Sequence, residues 1–418
     1  MIKFIHSADI HLDSPLKGLE THEDAPVEEI RGAARRAFDN LINLAIEEAV
    51  DFVLIAGDLY DGDWKDYNTG IFFVSRMGQL SKAGIKVFIV SGNHDAASQI
   101  TKAMPLPDNV TVLSHKKPQS IILEDLNVVI HGQSYSSHAV HENLASQYPQ
   151  NDANYFNIGL LHTSLTGREG HENYAPCTLD ELRSKGYDYW ALGHIHKREI
   201  VAKDPMILFS GNIQGRHVKE IGAKGATIVT VKDGRVAEVE ERELDVLRWA
   251  ICRVDLSECM TLDSVYETVR SAMEKERSLV DGKTLAMRLH LEGNCQVHVE
   301  LHARFSQITE EIRGIAASLG DIWLEKVKFR TGRKMTLEKI VGENTPLSDL
   351  MQVIEGLDLG EDALPILVPD LAKLRTKLPA ELLDEDSIWE SLPENMSELQ
   401  EEVKELLIAK LIQHGGEE

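Results

Sequence analysis

Five short clusters of polar residues follow apolar runs in the first half of the chain, and their side chains suit metal chemistry. They are Asp9 and His11 in "SADIHLD", Asp58 in "AGDLYDG", Asn93, His94 and Asp95 in "SGNHDA", His162 in "GLLHTS", and His194 and His196 in "GHIHK". Carboxylate, imidazole and amide ligands without a thiolate match Mn²⁺, Fe or Zn²⁺ rather than soft-metal chemistry. Two such ions would form a cationic centre that attracts a phosphate.

Each cluster also has an ordinary explanation. An aspartate after a strand is usually a turn former or a helix cap, and a single histidine is more often structural than a ligand. The same coincidence at five strand ends in one domain is much harder to explain in this way. His194 and His196 lie two residues apart, so on an extended chain both imidazoles face the same side.

The apolar runs before these clusters predict the elements that position them. "IKFIHSAD", "DFVLIAGDL" and "IKVFIVSGNHD" read as strands, and the segments between them, the first of which opens at Pro26, have helical periodicity. This is the βαβ pattern of an α/β layer, in which functional groups gather at the carboxyl ends of the strands. Later runs, up to "GATIVTVKDGRVAEVE", are mostly strands, which predicts a second sheet facing the first.

The pattern divides the chain into three predicted regions. Residues 1–246 form the domain that carries the polar clusters. From 247 to 332, a strand–helix–strand–helix–strand order predicts a small α+β domain. Residues 333–418 read as an acidic helical region, whose last helix has a capping box of Ser397 and Gln400. The apolar stripe of that helix consists of Leu399, Val403, Leu407 and Leu411.

Composition limits the remaining classes of protein. No apolar run approaches the ~20 residues of a membrane span, and the start lacks a cationic segment with a cleavage site, so we expect a cytoplasmic protein. The four cysteines show no CxxC pairing, which predicts free thiols. A net charge of −24 argues against a partner held by phosphate counterion release, but about half of it lies beyond residue 332.

The ordered motifs D-x-H, G-D-x-x-D, G-N-H-D, H and G-H-x-H resemble those of the calcineurin-like metallophosphoesterases over about residues 1–245. Within that family, "SADIHLDSPLKGL", "ALGHIHKRE" and "GNIQGRH" are similar to the SbcD-type DNA-repair exonucleases, and closest to a YhaO-like subgroup. The resemblance implies a four-layer α/β (α+β) fold, with two facing mixed β-sheets flanked by helices. A small α+β cap domain and a helical C-terminal region would complete it.

The resemblance also implies a role for each residue of the clusters. One divalent ion, most simply Mn²⁺ with Fe or Zn²⁺ as alternatives, would be held by Asp9, His11, Asp58 and His196. The second would be held by Asp58, Asn93, His162 and His194, with Asp58 bridging. His94 would assist the leaving group and be oriented by Asp95. Asp13, where the family more often has glycine, departs from the pattern.

The implied function is metal-dependent hydrolysis of DNA in repair or end processing, by hydroxide attack at the two metals. An exonuclease is expected, and additional endonuclease activity stays open. Gly62 and Asp95 differ from the Arg and Glu of protein phosphatase motifs, and the extra domain favours a polymer substrate. The alternatives are a phosphomonoesterase or cyclic-nucleotide phosphodiesterase, and a non-catalytic subunit that binds DNA or an ATPase. Oligomerisation is the other interpretation of the extra domain.

Partners follow from the same resemblance: DNA, a second copy of the chain in a homodimer, and an SMC-like ABC ATPase docked on the C-terminal helix. Arg216 and His217, after a later strand, are candidates for a phosphate contact, and a solvated turn is the alternative. Arg31, Arg35 and Arg36 form a basic stripe on the first helix, interpreted as a solvated face.

Overall fold

The computed structural model describes residues 1–13, 27–61, 67–97, 105–165 and 173–333. Beyond residue 348 it also describes a few short pieces, at 349–350, 353–354, 356, 403–404 and 407–408. Internal contacts divide the chain into two compact units, Met1–Ala250 with Lys283–Ala286, and Ile251–Gly282 with Met287–Glu418. The second unit begins close to residue 247, where the sequence predicts a new domain, and the boundary at 333 stays a prediction.

The first unit contains two six-stranded sheets. The first sheet has the order β12 (Arg235–Glu243), β11 (Gly225–Lys232), β1 (Ile2–Ser7), β2 (Phe52–Ala56), β3 (Lys86–Val90) and β4 (Val110–Val112). The second has the order β5 (Gln119–Leu123), β6 (Val128–Gly132), β7 (Phe156–His162), β8 (Tyr189–Gly193), β10 (Met206–Phe209) and β9 (Glu199–Lys203). Both sheets are mixed, since β1, β2 and β3 run parallel while β11 pairs antiparallel with β1, and β6, β7 and β8 run parallel beside antiparallel β5.

The two sheets face each other across a continuous apolar core. Phe4, Phe52 and Phe88 of the first sheet pack in the same cluster as Ile158 and Tyr189 of the second. Strands buried on both faces read as nearly continuous apolar runs, which is why their positions were visible in the sequence. The prediction of two facing mixed sheets is confirmed.

Helices cover the outer face of the first sheet. Phe38 of α1 (Val27–Glu47) and Phe73 of α2 (Tyr67–Lys82) pack with Val53 and Ile55 of β2. The short helices α3 (Asn93–Ala97) and α4 (Leu179–Ser184) complete the described α-helices of this unit. Leu182 of α4 packs with Trp190 and other residues on the outer face of the second sheet, which gives the predicted four layers.

A buried histidine links the two sheets. The ring nitrogens of His6 on β1 lie 3.0 Å from the hydroxyl of Tyr189 and 3.1 Å from the carbonyl oxygen of Leu192, both on β8. Burial lowers the pKa of His6 to about 3, so the ring is neutral. The nitrogen next to the carbonyl therefore donates, and the other accepts from the tyrosine hydroxyl.

Replacing Tyr189 with phenylalanine is expected to lower the free energy of unfolding by about 1–3 kcal/mol, because it leaves a buried ring nitrogen unpaired. Denaturant titration monitored by circular dichroism measures the change. Tyr67→Phe is the control, since Tyr67 is 61% exposed and its replacement should change stability by less than about 0.5 kcal/mol. Equal stability of the two variants would contradict a stabilising role for the hydrogen bond between Tyr189 and His6.

The second unit is a small α+β fold. Its sheet has the order β13 (Leu247–Asp255), β14 (Thr284–Cys295) and β15 (Ile322–Arg333), and its helices are α5 (Leu262–Ser278), α6 (His298–Ala303) and α7 (Phe305–Leu319). The predicted strands and helices are all present, and α6 is an additional short helix. Of the predicted C-terminal helix, Ser397 and Gln400 lie outside the described residues, as do Leu399 and Leu411.

All four cysteines are free, as predicted, and the structure places all four in buried positions. None of the helices in the described parts of the chain combines the length and apolar character needed to cross a bilayer.

Candidate metal centre

All of the predicted metal ligands lie together in the first unit, where strands of both sheets end. The loop after β1 carries Asp9 and His11, the loop after β2 carries Asp58, α3 begins at Asn93, β7 ends at His162, and the turn after β8 carries His194 and His196. Asp9 and Asp58 are each 1% exposed. Because an unpaired buried carboxylate is costly, their burial indicates that cationic groups belong beside them.

The backbone at these positions is held in an unusual conformation. Asp9, His11, Asp58 and His194 have φ values of 49°, 46°, 52° and 103°. Residues other than glycine rarely adopt a positive φ, and the backbone strain of that conformation persists mainly at functional sites. Backbone hydrogen bonds join the loops after β1 and β2. Among them, the N–H of Asp9 donates to the carbonyl oxygen of Gly57 at 3.0 Å, and the N–H of His11 donates to that of Asp58 at 3.0 Å.

The glycines of the motifs allow the ligands to approach one another. A Cβ on Gly57 would lie 2.3 Å from Nδ1 of His162, and one on Gly92 would lie 2.3 Å from Oδ1 of Asp58. A Cβ on Gly193 would lie 1.9 Å from the carbonyl oxygen of Ala56, across the two sheets. These contacts give a physical reason for glycine before Asp58, Asn93 and His194.

The first ligand cluster consists of Asp9, His11 and His196, whose ligand atoms lie within 4.8 Å of one another. Nε2 of His11 is 3.2 Å from Nε2 of His196. Two imidazole nitrogens bound to one cation at ~2.1 Å, at roughly a right angle, lie about 3 Å apart. These side chains therefore fit a shared divalent cation.

The second ligand cluster consists of Asp58, His162 and His194, again within 4.8 Å of one another. Nδ1 of His162 donates to the carbonyl oxygen of Ala56 at 2.9 Å, which leaves Nε2 for a ligand. That nitrogen lies 3.0 Å from Oδ1 of Asn93 and 3.4 Å from Oδ2 of Asp58.

Asp58 lies between the two clusters. The carboxylate oxygen that faces His162 is also 3.9 Å from Nε2 of His11 in the first cluster. The arrangement suits a bridging carboxylate between two cations. It also matches the division of ligands that the resemblance implies, which stays a proposal.

His94 lies at the edge of the centre and is paired with Asp61. Nδ1 of His94 is 2.8 Å from Oδ1 of Asp61, and the backbone N–H of His94 donates to Oδ1 of Asp58 at 3.0 Å. Burial lowers the pKa of His94, but Asp58 and Asp61 together raise it to about 9. His11, Asp61 and His94 also form a third group with ligand atoms within 4.8 Å of one another, in which Nδ1 of His11 lies 3.6 Å from Oδ1 of Asp61.

The expectation that Asp95 orients His94 is wrong. The oxygens of Asp95 instead accept the backbone N–H groups of Tyr60 at 2.9 Å and Gly92 at 3.0 Å, so this carboxylate ties two loops together. Asp61 contacts the His94 ring instead. It is the last residue of the G-D-x-x-D motif, and the resemblance implies no role for it.

Arg216 and His217 lie beside the centre. The guanidinium of Arg216 is 3.5 Å from Oδ2 of Asp61 and 3.8 Å from Oε1 of Glu220, and His217 is 3.6 Å from the same Glu220 oxygen. Their contact with a phosphate stays a prediction. Glu220, which lies 2.5 Å from Nδ1 of His196, was not predicted, and no spacing rule in the sequence marks it.

Asp13 contacts the first two helices, α1 and α2. Its carboxylate accepts hydrogen bonds from Arg35 of α1, with Nε at 2.7 Å, and from Thr69 of α2 at 2.5 Å. The departure from glycine at position 13 therefore joins the loop after β1 to two helices. Arg35 is not part of a purely solvated stripe, and that interpretation is wrong for this residue.

Two family models match parts of this chain, and known proteins are similar to it. Residues 2–198 match the calcineurin-like phosphoesterase family, and residues 249–332 match the middle domain of metallophosphoesterase YhaO. The metallophosphoesterase YhaO of Bacillus subtilis is 33% identical over 371 residues, which cover 85% of this chain and 90% of that protein. The DNA double-strand break repair protein Mre11 of Sulfurisphaera tokodaii is 25% identical over 304 residues, or 68% of this chain and 74% of Mre11. A dimetal phosphatase from Danio rerio has a TM-score of 0.37 and 10% identity, covering 58% of this chain and 96% of that structure.

Two facing sheets whose strand ends bring together carboxylate, imidazole and amide ligands define a metallophosphoesterase, an enzyme that hydrolyses phosphoester bonds. The 33% sequence identity to YhaO, over most of the length of both proteins, identifies the subgroup. The chain belongs to the YhaO-like calcineurin-like phosphoesterases.

Proposed function

We propose that the protein is a metal-dependent phosphodiesterase that hydrolyses DNA, as an exonuclease with endonuclease activity as a further mode. The observation that carries the phosphodiesterase chemistry is the pair of ligand clusters with Asp58 between them. The similarity to Mre11, which is named as a DNA double-strand break repair protein, supports DNA as the substrate and repair or end processing as the setting.

The residues of the two clusters would hold two divalent cations, and we propose Mn²⁺, with Fe or Zn²⁺ as alternatives. Asp9, His11 and His196 would bind one ion, Asn93, His162 and His194 the other, and Asp58 both. When bound, such cations supply Lewis acidity toward a phosphate group.

Two of the chain's own groups beside the clusters would act on the substrate. His94, held at Nδ1 by Asp61, would donate a proton to the leaving oxygen, and a third of its side chain is exposed and accessible to substrate. Arg216 lies next to the same aspartate and would contact a phosphate oxygen. The predicted homodimer, SMC-like ABC ATPase partner and cytoplasmic location stay predictions.

The test is an assay with end-labelled linear single- and double-stranded DNA in the presence of Mn²⁺, Mg²⁺ or Zn²⁺. We expect Mn²⁺-dependent shortening of the labelled strand and none with the Asp58→Asn variant, because that change removes the bridging carboxylate. Nitrophenyl phosphate and cyclic nucleotides serve as competing small substrates. Efficient turnover of those esters without cleavage of DNA would contradict the proposal and favour a phosphomonoesterase or cyclic-nucleotide phosphodiesterase.

A further inference from the structure

Glu220 is a buried carboxylate that lies behind His196 and is outside the proposed ligand set. Its side chain is 6% exposed, and Oε1 lies 2.5 Å from Nδ1 of His196. Nδ1 is thus the ring nitrogen engaged with the carboxylate, which leaves Nε2 for a ligand. Nε2 is the nitrogen that lies 3.2 Å from Nε2 of His11 in the first ligand cluster.

The Glu220 carboxylate is held in one direction by further donors. Its Oε2 accepts from the side-chain amide of Asn212 at 2.9 Å and from the backbone N–H of Arg216 at 2.7 Å. Together with the contact to His196, these two bonds fix the direction in which the carboxylate points.

The loop that carries Glu220 is also anchored at several points within the first unit. The backbone N–H of Asn212 donates to the carbonyl oxygen of His196 at 3.2 Å. Gln214 donates to the carbonyl oxygen of Leu247 at 2.6 Å, and the indole N–H of Trp249 donates to that of Gly215 at 3.1 Å. These bonds fix the carboxylate relative to the end of β8, where His196 lies.

We propose that Glu220 is a positioning residue of the metal centre, which fixes the tautomer and ring orientation with which His196 binds the first cation. Outer carboxylates of this kind typically change metal affinity by about 10- to 100-fold. The inference rests on the two-cation centre of the proposed function and does not depend on which phosphoester is the substrate.

A purely structural role is the competing explanation, because Glu220 also lies among cationic groups. Arg216 and His217 are 3.8 Å and 3.6 Å from its Oε1, and Lys224 donates to the carbonyl oxygen of His196 at 3.1 Å. If Glu220 only balances these charges, its removal changes stability without selecting one metal. If it positions His196, its removal weakens one ion and spares the other.

The experiment titrates Mn²⁺ into the full-length apoprotein by calorimetry, with electron paramagnetic resonance to distinguish paired from single ions. Glu220→Gln is expected to weaken one of the two Mn²⁺ ions by about 10- to 100-fold and leave the other at wild-type affinity. Glu238→Gln, an exposed glutamate on β12, is the matched control and should bind both ions normally. The double variant with His196→Asn and Glu220→Gln should still bind the second ion, the one held by His162 and His194, with wild-type affinity. Both changes act on the site of the first ion.

Thermal unfolding of each apoprotein reports whether the variants fold. Asn212→Ala is a second variant that keeps the carboxylate and removes one of its hydrogen-bond donors, and it should weaken the binding of the same ion by a smaller factor.

Wild-type affinity at both ions in folded Glu220→Gln, or equal weakening of both, would overturn the proposal. If Glu220→Gln does not fold, a selective loss in Asn212→Ala supports the proposal, and wild-type affinity or equal weakening of both ions in that variant overturns it. Failure of the wild-type protein to bind any of Mn²⁺, Fe or Zn²⁺ would overturn both this inference and the proposed function, whereas inactivity on DNA would affect only the latter.

Discussion

Replacing His94 with alanine is expected to lower the rate of DNA hydrolysis by about 100- to 10,000-fold, the usual contribution of a general acid, while both cations still bind. The ring is held by Asp61 at 2.8 Å, and 33% of the side chain is exposed. His94 thus lies beside the ligand clusters, with Asp61 as its ring's hydrogen-bond partner. Its removal should take away a proton donor and leave the ligands in place.

The leaving group provides the sharpest measurement of that role. A nitrophenolate departs readily without a proton, so His94→Ala should lose much less activity on the nitrophenyl ester of thymidine monophosphate than on DNA. His115→Ala, an exposed histidine of the same unit, is the control and should keep full activity on both substrates. Equal losses on the two substrates would contradict a general acid, and loss of a bound Mn²⁺ would place His94 in the ligand set instead.

The sequence predicted which side chains lie together in the candidate site, because these residues follow the ends of strands. Runs such as "FVLIA" in β2 are buried along their whole length, so their apolar character marks both the strand and the point where polar residues resume. Parallel neighbours in a sheet end at the same edge, which brings Asp9, Asp58 and Asn93 together. The positions of these residues follow from the apolar runs that mark the strands and from the shared edge at which parallel strands end.

The outer groups of the site could not be predicted in the same way. Asp95 is next to His94 in the sequence, but successive residues of a helix such as α3 face about 100° apart, and the Asp95 carboxylate bonds to the backbone instead. Asp61 and Glu220 reach His94 and His196 from separate loops. Such contacts depend on how loops fold across the strand ends, and neither periodicity nor spacing encodes them.

The short helix α6 was missed for a related reason. It has six residues, and its N-terminus has no side-chain capping bond. A segment of this length contains too few turns for an apolar repeat to be recognised. By contrast, α5 has a capping box of Thr261 and Ser264 and a buried stripe that includes Val265 and Val269, and it was predicted.

Replacing Gly92 with alanine is expected to remove at least one cation and to lower DNA hydrolysis by about 100-fold or more, although the change adds a single methyl group. The new Cβ would lie 2.3 Å from Oδ1 of Asp58 and 2.8 Å from Cε1 of His162. Both side chains belong to the second ligand cluster, and Asp58 also faces His11 of the first. The methyl group therefore displaces the proposed bridging carboxylate, and a shift of about 1 Å at such a centre is enough for a loss of this size.

Gly78→Ala is the matched control for this change. Gly78 lies within α2, and a Cβ there would meet no atom within 4 Å. Alanine at this helical position should preserve metal content and activity, and should raise the free energy of unfolding by about 0.5–1 kcal/mol. Metal content by mass spectrometry and unfolding by circular dichroism measure both variants. If Gly92→Ala binds two cations with wild-type affinity and keeps its activity, then close approach of Asp58 and His162 is not what the glycine provides.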